Sequence, residues 1–355
     1  MNPTTQLGYL VLADISGYTA FINQTELTHS HEIMSELLEL IIQQLQPILT
    51  LAAIEGGAAF TYGADSKVTR GETLLELIET TYTAFKDRLE TIRQRTSCAC
   101  NACKSVPNLD LNFMTHYGEY LLRHNGNTPE LISVDVSLIR ERVLKDHVPP
   151  QHGFALFTQS ALDRMKIQPD GWTPYAASYE SMSEIKFYRT DLQACYRQRV
   201  ETRCVYVQPQ QADLVMSCDL AAPPPRVWEW LNDPNRRTQW MAGRKWSADL
   251  RLRGRTAVGA RNHCDHGAGQ VTEIIVDWRP FDYFTVEINI DPARRLTQTY
   301  RLESNDDHFT RVSTQIKIEA LPSPQWLLRP LVKAILWLLL HTDYQRLARM
   351  IEENK

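Results

Sequence analysis

The stretch that most constrains this chain is "LVLADISGYTAFI", residues 10–22. An unbroken apolar run is what a strand covered on both faces requires, because neither side of its pleat meets water. The run ends on Asp14, and Ser16, Gly17, Tyr18 and Thr19 follow at once as a turn. Such a strand carries a carboxylate to its own end and then exposes a row of backbone amides. A carboxylate suits a hard cation, and open amides suit phosphate oxygens. The stretch therefore predicts a buried strand with a polar site at its C-terminal end.

Helical periodicity follows. Ile33, Leu37, Leu38, Ile41, Ile42 and Leu45 form one apolar stripe, closed by Pro47, and Leu74, Leu75, Ile78, Tyr82, Phe85, Leu89 and Ile92 form another over residues 72–95. Between them "AAIEGGAAFTYG" reads as two short strands around a Gly-Gly turn. "LDLNFMTHYGEYLL" reads as a strand, "DVSLIRERVLKD" as a helix, "GFALFTQSAL" as strand then helix, and "EIKFYRTDL" as a strand. This alternation predicts an α/β domain over residues 1–206. The polar segment 207–213, "VQPQQAD", reads as a linker. From 214 to 355 the pattern changes to a strand, a proline-opened helix in "APPPRVWEWLND", a series of strands from 246 to 318, and a helix from 324 to 353. That order predicts an α+β domain whose curved sheet wraps the last helix.

"LADISGYTAFI" resembles the first strand of the class III nucleotidyl cyclases, and the likeness continues in order. "IEGGAAFTYG" sits where that family has a hairpin carrying Gly-Asp, "MTHYGEY" resembles its strand ending in His-x-Gly-Glu, and "VSLIRERV" lies at its Asn-x-x-x-Arg helix. Closer still, the chain resembles a cyclase-related family of unknown function in which this domain precedes a START-like one. The resemblance implies a ferredoxin-like α/β sandwich. It implies that Asp14 would bind a Mg or Mn ion, that Ser16–Thr19 would hold phosphate, and that Arg142 would neutralise charge in the transition state. It also implies a head-to-tail homodimer.

The departures from that pattern set the functional expectation. Two-metal chemistry needs paired carboxylates holding ions about 3.5–4 Å apart. The second carboxylate position falls on Gly57, the purine-selecting lysine on Ala53, the other base-reading position near Leu131, and the transition-state asparagine on Leu138. Glu55 and Asp65 are the nearby acids that could substitute. Losing an oriented group of this kind costs on the order of 10²–10³-fold in rate. The expectation is a non-catalytic frame that keeps Asp14 and Arg142, with an active cyclase using atypical ligands as the alternative.

"SCACNACKS" places Cys98, Cys100 and Cys103 in a C-x-C-x-x-C loop. Three thiolates at that spacing converge on one ion, zinc first. Candidates for the fourth ligand are His116, Cys195, Cys204 or a partner chain. Unmetallated thiols, a local disulfide or an iron–sulfur cluster are the other readings. The chain has seven cysteines and no basic, apolar leader at its N-terminus, which reads as a cytoplasmic protein with reduced thiols.

Residues 212–355 resemble the START-like superfamily of polyketide cyclases and lipid-binding proteins, through "PPPRVWEWLNDPNRRTQWM", "VGARNHCDHGAGQVTEIIVDWRPFDYFTVEI" and the terminal helix. The resemblance implies a helix-grip fold with an apolar pocket for a small ligand, or an enzyme acting in that pocket. Trp228, Trp230, Trp240 and Trp246 read either as pocket lining or as core. In "NHCDHG", His263 and His266 point to opposite faces of a regular strand, while Cys264 shares a face with His266. They read as polar pocket lining, as a His-Cys dyad, or as ordinary strand and turn residues. The net charge of −4 gives no general attraction to nucleic acid. The longest apolar run, 330–341, carries Lys333 and falls short of the roughly 20 residues that span a bilayer. It reads as a buried helix face, with contact to a membrane surface as the alternative.

Overall fold

The computed structural model describes residues 5–354 apart from 67, 69, 96–99, 126–127, 133–134, 136–152, 180–181, 202–203, 242–244, 252–254, 266–268, 292 and 307–308. Two compact units make up the chain, Met1–Thr202 and Arg203–Lys355.

In the first unit, β1 (Thr5–Ser16) lies between antiparallel neighbours β3 (Ala58–Ala64) and β4 (Asp110–Asn125). Tyr9, Leu10, Val11, Ala13 and Ile15 are all buried, as a strand covered on both faces requires. Outward from β3 lies β2 (Thr50–Glu55), and β5 (Thr128–Ile132) pairs with β4. Beyond β4 the sheet continues through β6 (Phe154–Thr158), β8 (Met182–Asp191) and β7 (Thr173–Tyr179). The β4–β6 pair is parallel. Helices α1 (Tyr18–Gln24), α2 (Leu27–Leu45), α3 (Gly71–Arg95), α4 (Asn101–Ser105), α5 (Gln159–Met165) and α6 (Leu192–Glu201) accompany it. α2 buries Ile33, Met34, Leu37, Ile41 and Leu45, the three-to-four spacing of a helix with one apolar face. The hairpin at Gly56 and Gly57 joins β2 and β3 as the sequence predicts.

The second unit is a seven-stranded antiparallel sheet in the order β10, β11, β12, β13, β14, β15, β9. Its elements are β9 (Leu214–Leu220), α7 (Pro224–Asn232), α8 (Pro234–Trp240), β10 (Lys245–Ala248), β11 (Arg261–Asp265), β12 (Gln270–Arg279), β13 (Tyr283–Asp291), β14 (Arg294–Asp306), β15 (Phe309–Ala320) and α9 (Gln325–Glu353). Trp228 is the centre of an aromatic cluster, edge-on to Trp278 at 4.7 Å and to Phe284 at 5.3 Å. Tyr344, Leu347 and Ile351 of α9 close the same core. This is the helix-grip α+β arrangement expected from the order of elements. The segment 207–213, read as a linker, is anchored to this unit: the Val207 amide donates to the Thr299 hydroxyl (3.1 Å) and Asp213 accepts from the Ile318 amide; just before it, the Val205 amide donates to Asp277 (2.7 Å).

One expectation is corrected. The run 330–341 is not a buried face, because Leu331, Ile335, Trp337, Leu338 and Leu339 are exposed. Only Leu328, Val332, Leu336 and Leu340 of this part of α9 pack on the sheet.

Candidate functional site

At the end of β1, Asp14 is in register with Ala58 of β3 and Asn112 of β4. Burial pushes its carboxyl above the usual range. Gly17 then takes a left-handed conformation (φ 86°) that admits a residue without Cβ, and it is the N-cap of α1. Tyr18, the first residue of α1, lays its ring against the hairpin. A Cβ at position 57 would lie 2.7 Å from Tyr18 Cγ and 2.8 Å from its Cβ and Cδ2. The ring therefore fills the space a second acid would need. Glu55 shares a face with Asp14 through Ala58, but two strands away, about 10 Å. Asp65 is committed to a bidentate pair with Arg164, whose hydrogen bonds hold it below the usual carboxylate range. These residues do not fit a pair of clamped cations. Arg142 and Leu138 lie outside the described residues.

Further along β4, His116, named from the sequence as a possible zinc ligand, belongs instead to a buried polar group. His116 Nδ1 lies 3.1 Å from the Thr158 hydroxyl, and its Nε2 lies 3.5 Å from Asp135. Asp135 also accepts the Glu119 amide at 2.9 Å, and His116 holds it below the ordinary range. A Cβ at Gly118 would meet Asp135 Oδ2 at 2.2 Å, so the glycine makes room for this contact.

The cysteine loop acquires a partner that sequence spacing did not reveal. His29, near the start of α2, brings its Nδ1 to 3.2 Å from Cys100 Sγ, and with Cys103 the ligand atoms lie within 4.8 Å of one another. Cys100 caps α4, accepting from the Cys103 amide. Glu26 steadies the same turn by accepting the Asn101 (3.1 Å) and Ala102 (3.0 Å) amides, and those bonds, Ala102 first, lower its pKa. This cluster could hold a metal ion. The fourth-ligand candidates named from sequence sit elsewhere: His116 beside Thr158, Cys195 at Glu79, Cys204 at Arg279. Cys98 lies outside the described residues. The signal available in the sequence was "THSHE", two histidines at a helix start, 71 residues from the loop.

In the second unit, Trp228 and Trp240 are core residues; Trp228 sits in the aromatic cluster and the Trp240 indole donates to the Trp230 carbonyl at 2.9 Å. The polar interior centres instead on Arg237 of α8 and Glu273 of β12, both buried and joined by two bonds of 2.7 and 2.9 Å. Asn262 donates to Glu273 at 2.6 Å and accepts from Arg251. The guanidinium stacks on Trp246 at 3.6 Å. Burial works to lower the Arg237 pKa, but Glu273 outweighs it and holds the group charged. Arg237 Nε, Trp246 Nε1 and Gln298 Nε2 are buried donors with no hydrogen-bond acceptor. His263 faces away from this interior, 2.8 Å from Asp249, whereas Cys264 is buried within it. His266 lies outside the described residues.

Residues 34–152 match the model of DUF2652, a family described as a protein of unknown function. Residues 211–352 match the family described as polyketide cyclase / dehydrase and lipid transport. An uncharacterized protein of Mycobacterium tuberculosis is 32% identical over 118 residues, which are 33% of this chain and 53% of that protein, so the match spans about half the relative's length. Among solved structures, the adenylyl cyclase CyaB of P. aeruginosa covers 53% of this chain and 95% of its own at 14% identity, with a TM-score of 0.41. DynU16, from the dynemicin biosynthetic locus, covers 40% of this chain and 48% of its own at 23% identity, with a TM-score of 0.31. The N-terminal half resembles the nucleotidyl cyclases in structure, a likeness of fold.

Proposed function

We propose that this chain is a non-catalytic binding protein, with a cyclase-type domain retained as a frame and a START-like domain that encloses a small apolar ligand. The observation that carries the first half is the Tyr18 ring pressed on Gly57, where a second metal-binding acid would have to stand. The second half is supported by Arg237 Nε and Trp246 Nε1, two buried donors side by side that an apolar ligand bearing a carbonyl or hydroxyl oxygen would satisfy. The Ser16–Thr19 turn is read as a phosphate site without turnover, on its resemblance to the cyclase turn and its place directly after Asp14. The frame is read as a head-to-tail homodimer in a reducing cytoplasm; Cys100, Cys103, Cys195, Cys204, Cys218 and Cys264 carry thiols rather than disulfides. Incubation with ATP or GTP and Mn²⁺ is expected to leave the nucleotides unchanged, and mass spectrometry of the native protein is expected to find a co-purified oxygen-bearing ligand. Formation of a cyclic nucleotide by the wild type, but not by Asp14→Ala, overturns the reading.

The cysteine loop is read as a structural zinc site with His29, Cys100 and Cys103 as three of its four ligands and Cys98, the remaining cysteine of the motif, as the fourth. Glu26 would act as the outer group that holds the ligand-bearing turn in shape. Elemental analysis is expected to find one zinc per chain. Cys103→Ser and His29→Ala are each expected to lower zinc affinity about 10-fold or more. Protein that is metal-free after purification and takes up no added zinc would sink this assignment.

A further inference from the structure

The first half of α9 holds Trp326, Leu327, Leu331, Ile335, Trp337 and Leu338 exposed, Trp326 at 79% and Leu338 at 60%. At about 100° per residue, Leu327, Leu331, Ile335 and Leu338 line one side of the helix, next to the residues that pack on the sheet. The same outward side changes character along the helix. From His341 through Gln345 to Arg349 it is exposed and polar. One helix thus has an ordinary water-facing surface in its second half and an apolar one in its first. Water does not account for that change, because burying a large apolar side chain is favourable by roughly 1.5–3 kcal/mol.

Charge identifies the occupant. From residue 320 to 342 the sequence has no acid, while Arg329 and Lys333 are cationic. Two exposed tryptophans belong to the same stretch. Apolar face, indoles and long cationic stems are the composition of a helix lying in the interface of a bilayer, where the stems reach up to lipid phosphates. No helix among the described residues is long and apolar enough to cross one. A second copy of the helix fits less well, since each Lys333 would meet a stretch offering cations and no acid. Arg329 is already paired with Asp213 at 3.0 Å, which leaves Lys333 as the principal contact to the headgroups.

We infer that the N-terminal half of α9 docks on the surface of an anionic phospholipid bilayer. The inference stands independently of what either domain binds. The test is flotation of the full chain with phosphatidylcholine vesicles, with and without phosphatidylserine. The wild type is expected to float with the serine-containing vesicles and to release as salt rises. Leu331→Glu combined with Ile335→Glu is expected to reduce partitioning roughly tenfold or more, with the melting temperature unchanged because both side chains are exposed. Lys333→Glu is expected to abolish the preference for phosphatidylserine. Failure of the wild type to float overturns the inference. So does equal flotation of the double variant, or a double variant that turns a dimer into a monomer while the wild type ignores vesicles, which would make the face a contact between copies.

Discussion

Glu273→Ala is expected to destabilise the C-terminal unit by about 3–5 kcal/mol, the usual cost of leaving a buried charge without its partner. Arg237 cannot respond by moving into water, since it is buried and stacked on Trp246. Nor can it readily lose its proton, because guanidinium remains protonated throughout the pH range in which proteins fold. The loss also strips Asn262 of an acceptor, and Asn262 is what ties Arg251 into the network. The conservative Glu273→Gln keeps one acceptor oxygen and is expected to fall between the two. Replacing both partners, Arg237→Leu with Glu273→Leu, is expected to cost far less than either single change, because the desolvation penalty leaves with the charges. Urea unfolding of the wild type, Arg237→Leu, Glu273→Leu and the double variant gives the coupling directly. Additive single and double effects would mean that the pair is not coupled as its geometry requires. The same series bears on ligand binding. If Arg237 Nε anchors a ligand oxygen, the double variant should remain folded yet purify without the ligand.

Much of this architecture is legible in the sequence, and the parts that are not have identifiable causes. β1, α2 and α3 are long and strongly patterned, so burial on two faces or one fixes their type. β7 is an edge strand whose residues are largely exposed, so its sequence carries little apolar alternation. The run 330–341 misleads for the opposite reason. An all-apolar helix reads as buried, and nothing local distinguishes a core helix from one whose outer face is left open. At the candidate sites, the missing acid at Gly57 is visible in the sequence. The Tyr18 ring that occupies its place is not, because the contact depends on how the hairpin approaches the start of α1. His29 is invisible for the same reason: it and Cys100 are 71 residues apart and meet only once α2 and α4 have packed.

Gly57→Asp, the substitution that puts an acid at the missing position, is expected to destabilise the first unit by about 1–3 kcal/mol without creating a two-metal site. Its Cβ would overlap Tyr18 on three atoms at 2.7–2.8 Å, ring carbons Cγ and Cδ2 and the side chain's own Cβ, and the side chain must leave before the carboxylate fits. Tyr18 is the first residue of α1, so moving it also disturbs the turn that follows Asp14. Adding Tyr18→Gly, which removes the Cβ as well as the ring, should recover part of the lost stability by vacating that space. The introduced acid would then stand near Asp14, whose carboxyl burial already holds above the ordinary range. A like charge raises it further, so the doubly substituted protein should lose stability as pH rises through the carboxylate range. Mn²⁺ should reverse that loss, because it neutralises the pair and binds the folded state alone. Thermal melts of wild type, both single variants and the double variant, with and without Mn²⁺, separate the terms. The expected pattern is a metal-dependent rise only where the ring is gone and the acid is present. A stable Gly57→Asp protein that already binds Mn²⁺ would show that the ring yields easily, and the non-catalytic reading would lose its physical basis.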